Sequence, residues 1–95
     1  LATIGTQSFD DCFTLNFAEC QPMIVLRNPA QQLQVEIHPD PSYPYLQVYT
    51  PPHRQSIALE NLSTAPDAFN NNMGLISLAS GAETSFVTRY RIVHL

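Results

Sequence analysis

Apolar and polar residues alternate along most of this 95-residue chain, and this two-residue period constrains its fold more than any other feature. In residues 32–38, Leu33, Val35 and Ile37 fall on one side of an extended strand, and polar side chains fall on the other, which is wet or faces a cleft. The same alternation, or a short apolar run bounded by turn residues, predicts strands at residues 13–17, 23–27, 32–38, 45–49, 56–60, 75–79 and 84–95.

A helical period is almost absent from the sequence. Residues 66–70 are expected to form at most one helical turn, capped by Ser63 or Thr64. About seven strands in fewer than a hundred residues predict an all-β protein, namely an antiparallel β-sandwich or a part of one. A chain that begins at Leu1 rather than at methionine suggests a segment of a longer protein.

Prolines set the boundaries of the central strand. Five of the eight prolines lie between Pro39 and Pro52, and each fixes φ and removes a backbone donor. They predict rigid turns at residues 38–42 and 50–54, on either side of the strand at residues 45–49.

Charge and cysteine content exclude several functions. Four arginines, no lysine and eight carboxylates give a net charge of -4, which disfavours nucleic-acid binding. No apolar run approaches the ~20 residues of a membrane span. Cys12 and Cys20 lack the pattern of a disulfide framework, so free thiols in a reducing compartment such as the cytoplasm are expected. The three histidines have no metal-ligand spacing, and no cofactor motif is present.

Glu60 is the main candidate for acid–base chemistry. It shares a strand face with Ser56 and Ala58, where a carboxylate held by its neighbours acts as a general base; an exposed strand-end glutamate is the structural alternative. Asp10 and Asp11 are adjacent, so they should point to opposite sides of a strand rather than form a dyad.

Other polar and aromatic residues have both structural and binding interpretations. Arg54 is placed to anchor an anion or a backbone carbonyl, whereas Arg89 and Arg91 share one strand face and each require a carboxylate. Four aromatic side chains suit either core packing or stacking on sugar rings: Tyr43, Tyr45, Tyr49 and Phe69.

An ordered set of motifs resembles the C-terminal part of the aldose 1-epimerase (galactose mutarotase) family. It comprises YPYLQVYTPP at residues 43–52, Arg54, SIALE at residues 56–60 and APDAFN at residues 65–70. FDDCF at residues 9–13 resembles the family's aromatic-Asp-x-x-Phe segment, and Gly74 to Leu78 with Gly81 resembles its closing hairpin.

The resemblance implies a galactose mutarotase-type antiparallel β-sandwich, of which residues 1–95 form a single C-terminal segment. It implies that Glu60 is the general base that deprotonates the anomeric hydroxyl of an aldohexose, and that Asp10 binds sugar hydroxyls, with no metal and no cofactor. In the family a histidine from an upstream motif protonates the ring oxygen. The contexts of His38, His53 and His94 do not match that motif.

We therefore expect the chain to supply the base of an aldose 1-epimerase, and to be inactive alone. A noncatalytic carbohydrate-binding module of the same fold is the alternative, and a purely structural piece of a sandwich is a third interpretation. The expected partners are a monosaccharide of the galactose or glucose type and either the N-terminal part of the sandwich or a second copy of the chain, with no nucleic acid and no membrane.

Overall fold

The described part of the chain contains six strands, one α-helical turn and one 3-10 turn. The computed structural model describes residues 3–18 and 22–95. The strands are β1 (Asp10–Thr14), β2 (Ile24–Asn28), β3 (Leu33–Pro39), β4 (Tyr45–Tyr49), β5 (Ala58–Leu62) and β6 (Thr88–His94), and the helical turn is α1 (Ala68–Asn71). Two three-stranded antiparallel sheets result, in the orders β1-β4-β5 and β2-β3-β6. The predicted all-β antiparallel fold is confirmed.

A short 3-10 turn, Pro29–Gln31, joins β2 to β3. The side-chain oxygen of Asn28 accepts from the Gln31 N–H at 3.3 Å, and proline occupies the first turn, where no backbone donor is needed. Gln32 closes the turn in the left-handed region at φ 53°, where its N–H donates to the Pro29 carbonyl at 3.0 Å. The local sequence therefore sets the hairpin that begins the second sheet.

The second proline-rich turn forms at the predicted residues, whereas the first begins later than predicted, because β3 continues through His38 and Pro39. In the first, the Asp40 carboxylate accepts hydrogen bonds from the backbone N–H and the hydroxyl of Ser42, and the Tyr43 N–H donates to the Asp40 carbonyl. In the second, the Arg54 N–H donates to the Pro51 carbonyl at 2.9 Å. Strand β4 between these turns has the predicted limits.

Several predicted elements differ from the structure. The strand expected at residues 13–17 begins and ends earlier, because the Asn16 side chain accepts from the Ala18 N–H at 3.0 Å and forms a turn. Residues 75–79 are not a strand, and the closing hairpin implied by the resemblance is absent from the described residues there. The last strand begins at Thr88 rather than at residue 84.

The cap predicted for the helical turn is also wrong. The residue that precedes α1 is Asp67, and not Ser63 or Thr64. Asp67 has a left-handed conformation at φ 62°, and its side chain accepts no hydrogen bond from a backbone N–H of the helical turn. Its carboxylate instead accepts from the Asn70 amide at 2.6 Å.

The enclosed core is small for a chain of this length. Among the described residues, the buried apolar side chains are Ile37, Pro39, Leu46, Ala65 and Ala68. The amide of Asn61 on β5 donates to the Tyr90 hydroxyl on β6 at 3.2 Å and connects the two sheets. The radius of gyration is 15.3 Å, against about 12 Å for a compact domain of this size. Large apolar side chains therefore remain exposed, including Tyr90 and Ile92 on β6.

The polar face of β3 is largely covered rather than wet. Gln34 is only 8% exposed; it accepts from the Arg27 Nε at 2.8 Å and donates to Glu36 at 2.8 Å. Glu36 also lies 3.4 Å from His38 and 3.6 Å from Arg91. Burial disfavours the charge on Glu36, but the hydrogen bonds from Gln34 and His38 and the nearby positive charges outweigh it and lower its pKa.

The two arginines of the last strand differ in their partners. Arg91 forms an ion pair with the Glu36 carboxylate, which is the kind of partner that the sequence analysis expected. Arg89 lies opposite His38 and makes no ion pair with a described residue. No helix in the described ranges is both long enough and apolar enough to span a lipid bilayer.

Candidate functional site

Asp10, Gln47 and Glu60 lie on one face of the first sheet. Gln47 on β4 is the register partner of Glu60 on β5 and of Cys12 on β1, and Asp10 lies two residues before Cys12. Register partners in an antiparallel sheet share a face, as do residues two apart in a strand. The register therefore brings together the two carboxylates that the sequence singled out, one from each edge strand.

Gln47 lies on the strand between the two carboxylates and was not identified from the sequence. Its side-chain N–H donates to the Asp10 Oδ1 at 2.8 Å. A glutamine on an alternating strand carries no local signal of such a role, and only the pairing of β4 with both neighbours reveals it. Asp11 is paired with Val48 and lies on the opposite face, so the predicted separation of Asp10 and Asp11 is confirmed.

The Glu60 carboxylate is exposed and available as an acceptor. It makes no side-chain hydrogen bond or ion pair with any residue in the described ranges. Its position in the middle of β5 fixes its backbone, while its oxygens keep their capacity to accept from a ligand. An exposed carboxylate without a described partner is also what the structural alternative expects, although Glu60 lies in the middle of β5 and not at its end.

An open cleft of about 580 Å³ runs from Glu60 to the helical turn. Glu60, Gln47, Thr64 and Asp67 give it polar groups, and its apolar wall is formed by Leu62, Ala65, Pro66, Ala68, Phe69 and Leu75. The Phe69 side chain is 91% exposed, which leaves an aromatic ring at the rim of the cleft.

A close backbone approach at Gly74 holds the wall of the cleft. Gly74 has φ +75°, and a Cβ there would lie 2.8 Å from the Tyr45 ring, 3.1 Å from the Ser63 carbonyl oxygen and 3.2 Å from the Thr64 Cα. The Ala65 N–H donates to the Met73 carbonyl at 3.0 Å in the same region. Glycine is therefore required for the segment after α1 to pack against the end of β5.

The three histidines lie away from this cleft. His38 is on β3 beside Glu36, the Nδ1 atom of His53 accepts from the Gln55 N–H at 3.0 Å in the second proline-rich turn, and His94 ends β6. None of them is among the described residues that line the cleft. Within residues 3–18 and 22–95, no three His, Cys, Asp or Glu side chains come together as a metal site.

The other singled-out residues have structural contacts. Arg54 donates to the carbonyls of Gly5 and Gln7 at 2.9 and 3.1 Å, which confirms the carbonyl-anchoring interpretation, and to the Ser8 hydroxyl at 3.2 Å. The Tyr43 ring packs on Phe86 with centroids 5.7 Å apart.

Of the predicted aromatic residues, Phe69 lies at the cleft, Tyr45 packs beneath its wall at Gly74, and Tyr49 is exposed opposite Asp10. Cys12 carries a free thiol, whose pKa is raised by partial desolvation, and Cys20 lies outside the described residues.

The fold and the cleft together define an all-β protein whose sheet face presents carboxylate and amide groups beside an exposed aromatic ring. A family model for aldose 1-epimerase matches residues 2–91. The chain belongs to the aldose 1-epimerase family. Neither a search of curated proteins nor a search of solved structures found a match.

Proposed function

We propose that this chain supplies the general base of an aldose 1-epimerase, as a single C-terminal segment of a mutarotase-type sandwich. One observation carries the proposal: Glu60 and Asp10, which stand at the positions of the family's base and hydroxyl-binding residue, share one sheet face with Gln47 between them. The family match over residues 2–91 supports it.

The proposed reaction is proton transfer at the two oxygens of the anomeric centre. Glu60 takes the proton of the anomeric hydroxyl, the C1–O1 bond becomes a carbonyl, and the bond from C1 to the ring oxygen breaks. An acid gives a proton to the ring oxygen. Rotation about the C1–C2 bond and the reverse proton transfers close the ring on the other face of the carbonyl and give the other anomer.

Asp10 and Gln47 would orient the sugar during this step. The Asp10 carboxylate keeps acceptor sites for sugar hydroxyls, while its bond from Gln47 fixes its direction. The open cleft admits a pyranose, and the exposed Phe69 ring offers an apolar face to the sugar carbons.

We propose that the acid that protonates the ring oxygen comes from outside this segment. None of His38, His53 and His94 is among the described residues that line the cleft. We therefore propose that the base acts within a longer protein and that the 95-residue chain alone does not catalyse the reaction.

Polarimetry of α-D-galactose and α-D-glucose tests this assignment in the longer protein. Glu60→Gln should lower the rate by about 10²-fold or more, the effect typical of losing a general base. Glu83→Gln, at an exposed carboxylate outside the cleft, is the matched control and should keep the full rate. Full activity in Glu60→Gln contradicts the assignment, and a rate above buffer for the isolated chain contradicts the need for an external acid.

A noncatalytic sugar-binding module is the second candidate. The Gln47–Asp10 pair and the exposed Phe69 ring serve recognition equally well without any acid. Saturable binding of galactose or glucose by the longer protein, with no anomer interconversion in either the native protein or Glu60→Gln, would favour this candidate over the enzyme.

The exposed apolar residues of β6 are proposed to be covered by the N-terminal part of the same sandwich. Tyr90 is 58% exposed and Ile92 is 68% exposed, on an edge strand with one free side in the described structure. The isolated chain should then self-associate in light scattering, whereas the longer protein should not. A monodisperse monomer of the isolated chain contradicts this.

The proposed location is the cytoplasm, where the Cys12 thiol stays reduced.

A further inference from the structure

A second cavity, separate from the Glu60 cleft, concentrates positive charge. It has a volume of about 460 Å³ and is lined by Arg27 and Arg54. Asn28, Thr50, Gln55 and Ser56 add neutral polar groups. None of the described lining residues carries a carboxylate, although the whole chain has eight carboxylates and only four arginines. The cavity shares no described lining residue with the cleft at Glu60.

Arg27 keeps most of its donor groups unused. Its Nε donates to the Gln34 oxygen at 2.8 Å, which fixes the plane of the guanidinium group. Its two terminal nitrogens have no hydrogen-bond or ion-pair partner among the described residues. The nearest carboxylate in this network, Glu36, is reached only through Gln34 and contacts Arg91 instead.

Hydrogen bonds to the N-terminal segment hold the Arg54 side chain in place. Its terminal nitrogens bond the Gly5 and Gln7 carbonyls and the Ser8 hydroxyl, none of which neutralises its charge. The residue has φ 58°, a conformation that costs energy for any side chain other than glycine and that is often found at functional sites.

Neutral donors complete the lining. The Asn28 side-chain oxygen already accepts a hydrogen bond from the Gln31 N–H, so the side-chain N–H groups of Asn28 are the ones available to a ligand. The side chains of Gln55 and Ser56 have no hydrogen-bond partner in the described part of the chain. The cavity therefore combines two positive charges with amide and hydroxyl donors.

We propose that this cavity binds a phosphate group, either as free phosphate or as the phosphate of a small phosphomonoester. The two arginines bring two positive charges to a described lining that has no carboxylate, and a dianion neutralises them. The two terminal nitrogens of Arg27 can donate to two phosphate oxygens at once, whereas Arg54, whose terminal nitrogens already bond the N-terminal segment, contributes its charge. The hydroxyl and amide groups match the remaining oxygens of a tetrahedral anion. The site does not depend on the function of Glu60.

The test is a titration of the ¹⁵N-labelled protein with inorganic phosphate at constant ionic strength, with sodium acetate and sodium chloride as comparison salts. Saturable shifts of the backbone N–H signals of residues 26–28 and 54–57 with phosphate, and weaker ones with acetate, are expected. Linear, non-saturating shifts that are the same for all three salts would overturn the proposal. A parallel titration with glycerol 3-phosphate distinguishes the source: comparable affinity identifies a phosphomonoester site, and binding of inorganic phosphate alone identifies a site for the free anion.

Arg27→Gln and Arg89→Gln remove one charge each and form the matched pair. Arg89 lies outside the cavity and makes no ion pair with a described residue. Arg27→Gln should weaken phosphate binding at least tenfold, and Arg89→Gln should change it less than twofold. Equal losses would show diffuse charge attraction and overturn the site.

Ser56→Asp gives a second, independent variant. It leaves both arginines and the Gln34 bond in place but adds a carboxylate to the lining, so it should abolish saturable binding while the spectrum stays folded. A folded Ser56→Asp that binds phosphate as tightly as the native protein contradicts the proposal, even if Arg27→Gln fails to fold.

Discussion

Gln47 donates a 2.8 Å hydrogen bond to the Asp10 carboxylate while its register partner on the other neighbouring strand is Glu60. The central strand of the sheet thus orients a carboxylate on one edge and directly faces a carboxylate on the other. Of the two carboxylates of the proposed sugar site, the Gln47 side chain therefore contacts Asp10 and only faces Glu60.

Replacing Gln47 by leucine should separate sugar affinity from stability. The lost bond is exposed, so the free energy of unfolding should fall by only about 1 kcal/mol or less. Galactose or glucose affinity of the longer protein, measured by NMR titration, should fall several-fold because Asp10 is no longer oriented. Gln7→Leu, at an exposed glutamine outside the cleft, should leave affinity unchanged. Native affinity in Gln47→Leu would remove Gln47 from the site.

Gly74→Ala should destabilise the protein more than Gly81→Ala. Both glycines have positive φ, but a Cβ at Gly74 meets the Tyr45 ring at 2.8 Å, whereas nothing lies within 4 Å at Gly81. We expect a loss of about 2–3 kcal/mol at Gly74, from backbone strain plus overpacking, and about 1 kcal/mol at Gly81, from backbone strain alone. Urea unfolding measures both. Equal losses would mean that the close approach at Tyr45 costs nothing.

Gln32→Gly is expected to stabilise the protein. Gln32 has φ 53°, and its exposed side chain makes no hydrogen bond with a described residue, so glycine removes strain without removing a contact. A gain of about 0.5–1 kcal/mol is expected in thermal or urea unfolding. Gln31→Gly, one residue earlier and inside the 3-10 turn, should instead destabilise the protein. A loss of stability in Gln32→Gly would show that its side chain contributes more than its backbone costs.

Acid should weaken the first proline-rich turn through Asp40. Side-chain and backbone hydrogen bonds from Ser42 lower the pKa of Asp40 below its ordinary value. A carboxyl group with a lowered pKa in the folded state stabilises the protein above its unfolded pKa, and this contribution is lost as the pH falls below about 4.

Ser42→Ala is the variant that checks the Asp40 prediction. It should raise the pKa of Asp40 toward its ordinary value, and its stability deficit against the native protein should shrink between pH 7 and pH 2. Part of the deficit should remain, because the Val87 N–H also loses its Ser42 acceptor. Ser80→Ala, at an exposed turn, should show no such pH dependence. A constant deficit across that range for Ser42→Ala would contradict the role of Asp40.

Local chemistry made much of the fold predictable from the sequence. Alternation together with flanking prolines gave the limits of β4, and the 32–38 pattern differs from β3 by one residue at each end. Residues 75–79 have comparable apolar content but no partner strand among the described residues, and a strand without a ladder does not form. Alternation identifies which segments are extended; it does not identify which of them pair.

The site was predictable only in part, because the sequence pattern does not show which distant segments come together. Glu60 and Asp10 were identified by resemblance to a family motif, whereas Gln47 and the Arg27–Arg54 cavity arise from contacts between distant segments. The burial of Gln34 shows the complementary limit, because a polar residue on a predicted wet face becomes enclosed once arginine and glutamate neighbours satisfy it.

Because Glu60 lies on an edge strand, the register of β5 against β4 decides which side chain faces the cleft. β5 is held by β4 on one side only, in the described residues, and a slip of one residue in that pairing would turn Leu59 or Asn61 toward the cleft and Glu60 toward the interior. A single inserted or deleted residue between β4 and β5 that shifts this pairing would therefore exchange the base for an inert side chain without altering any residue of the site.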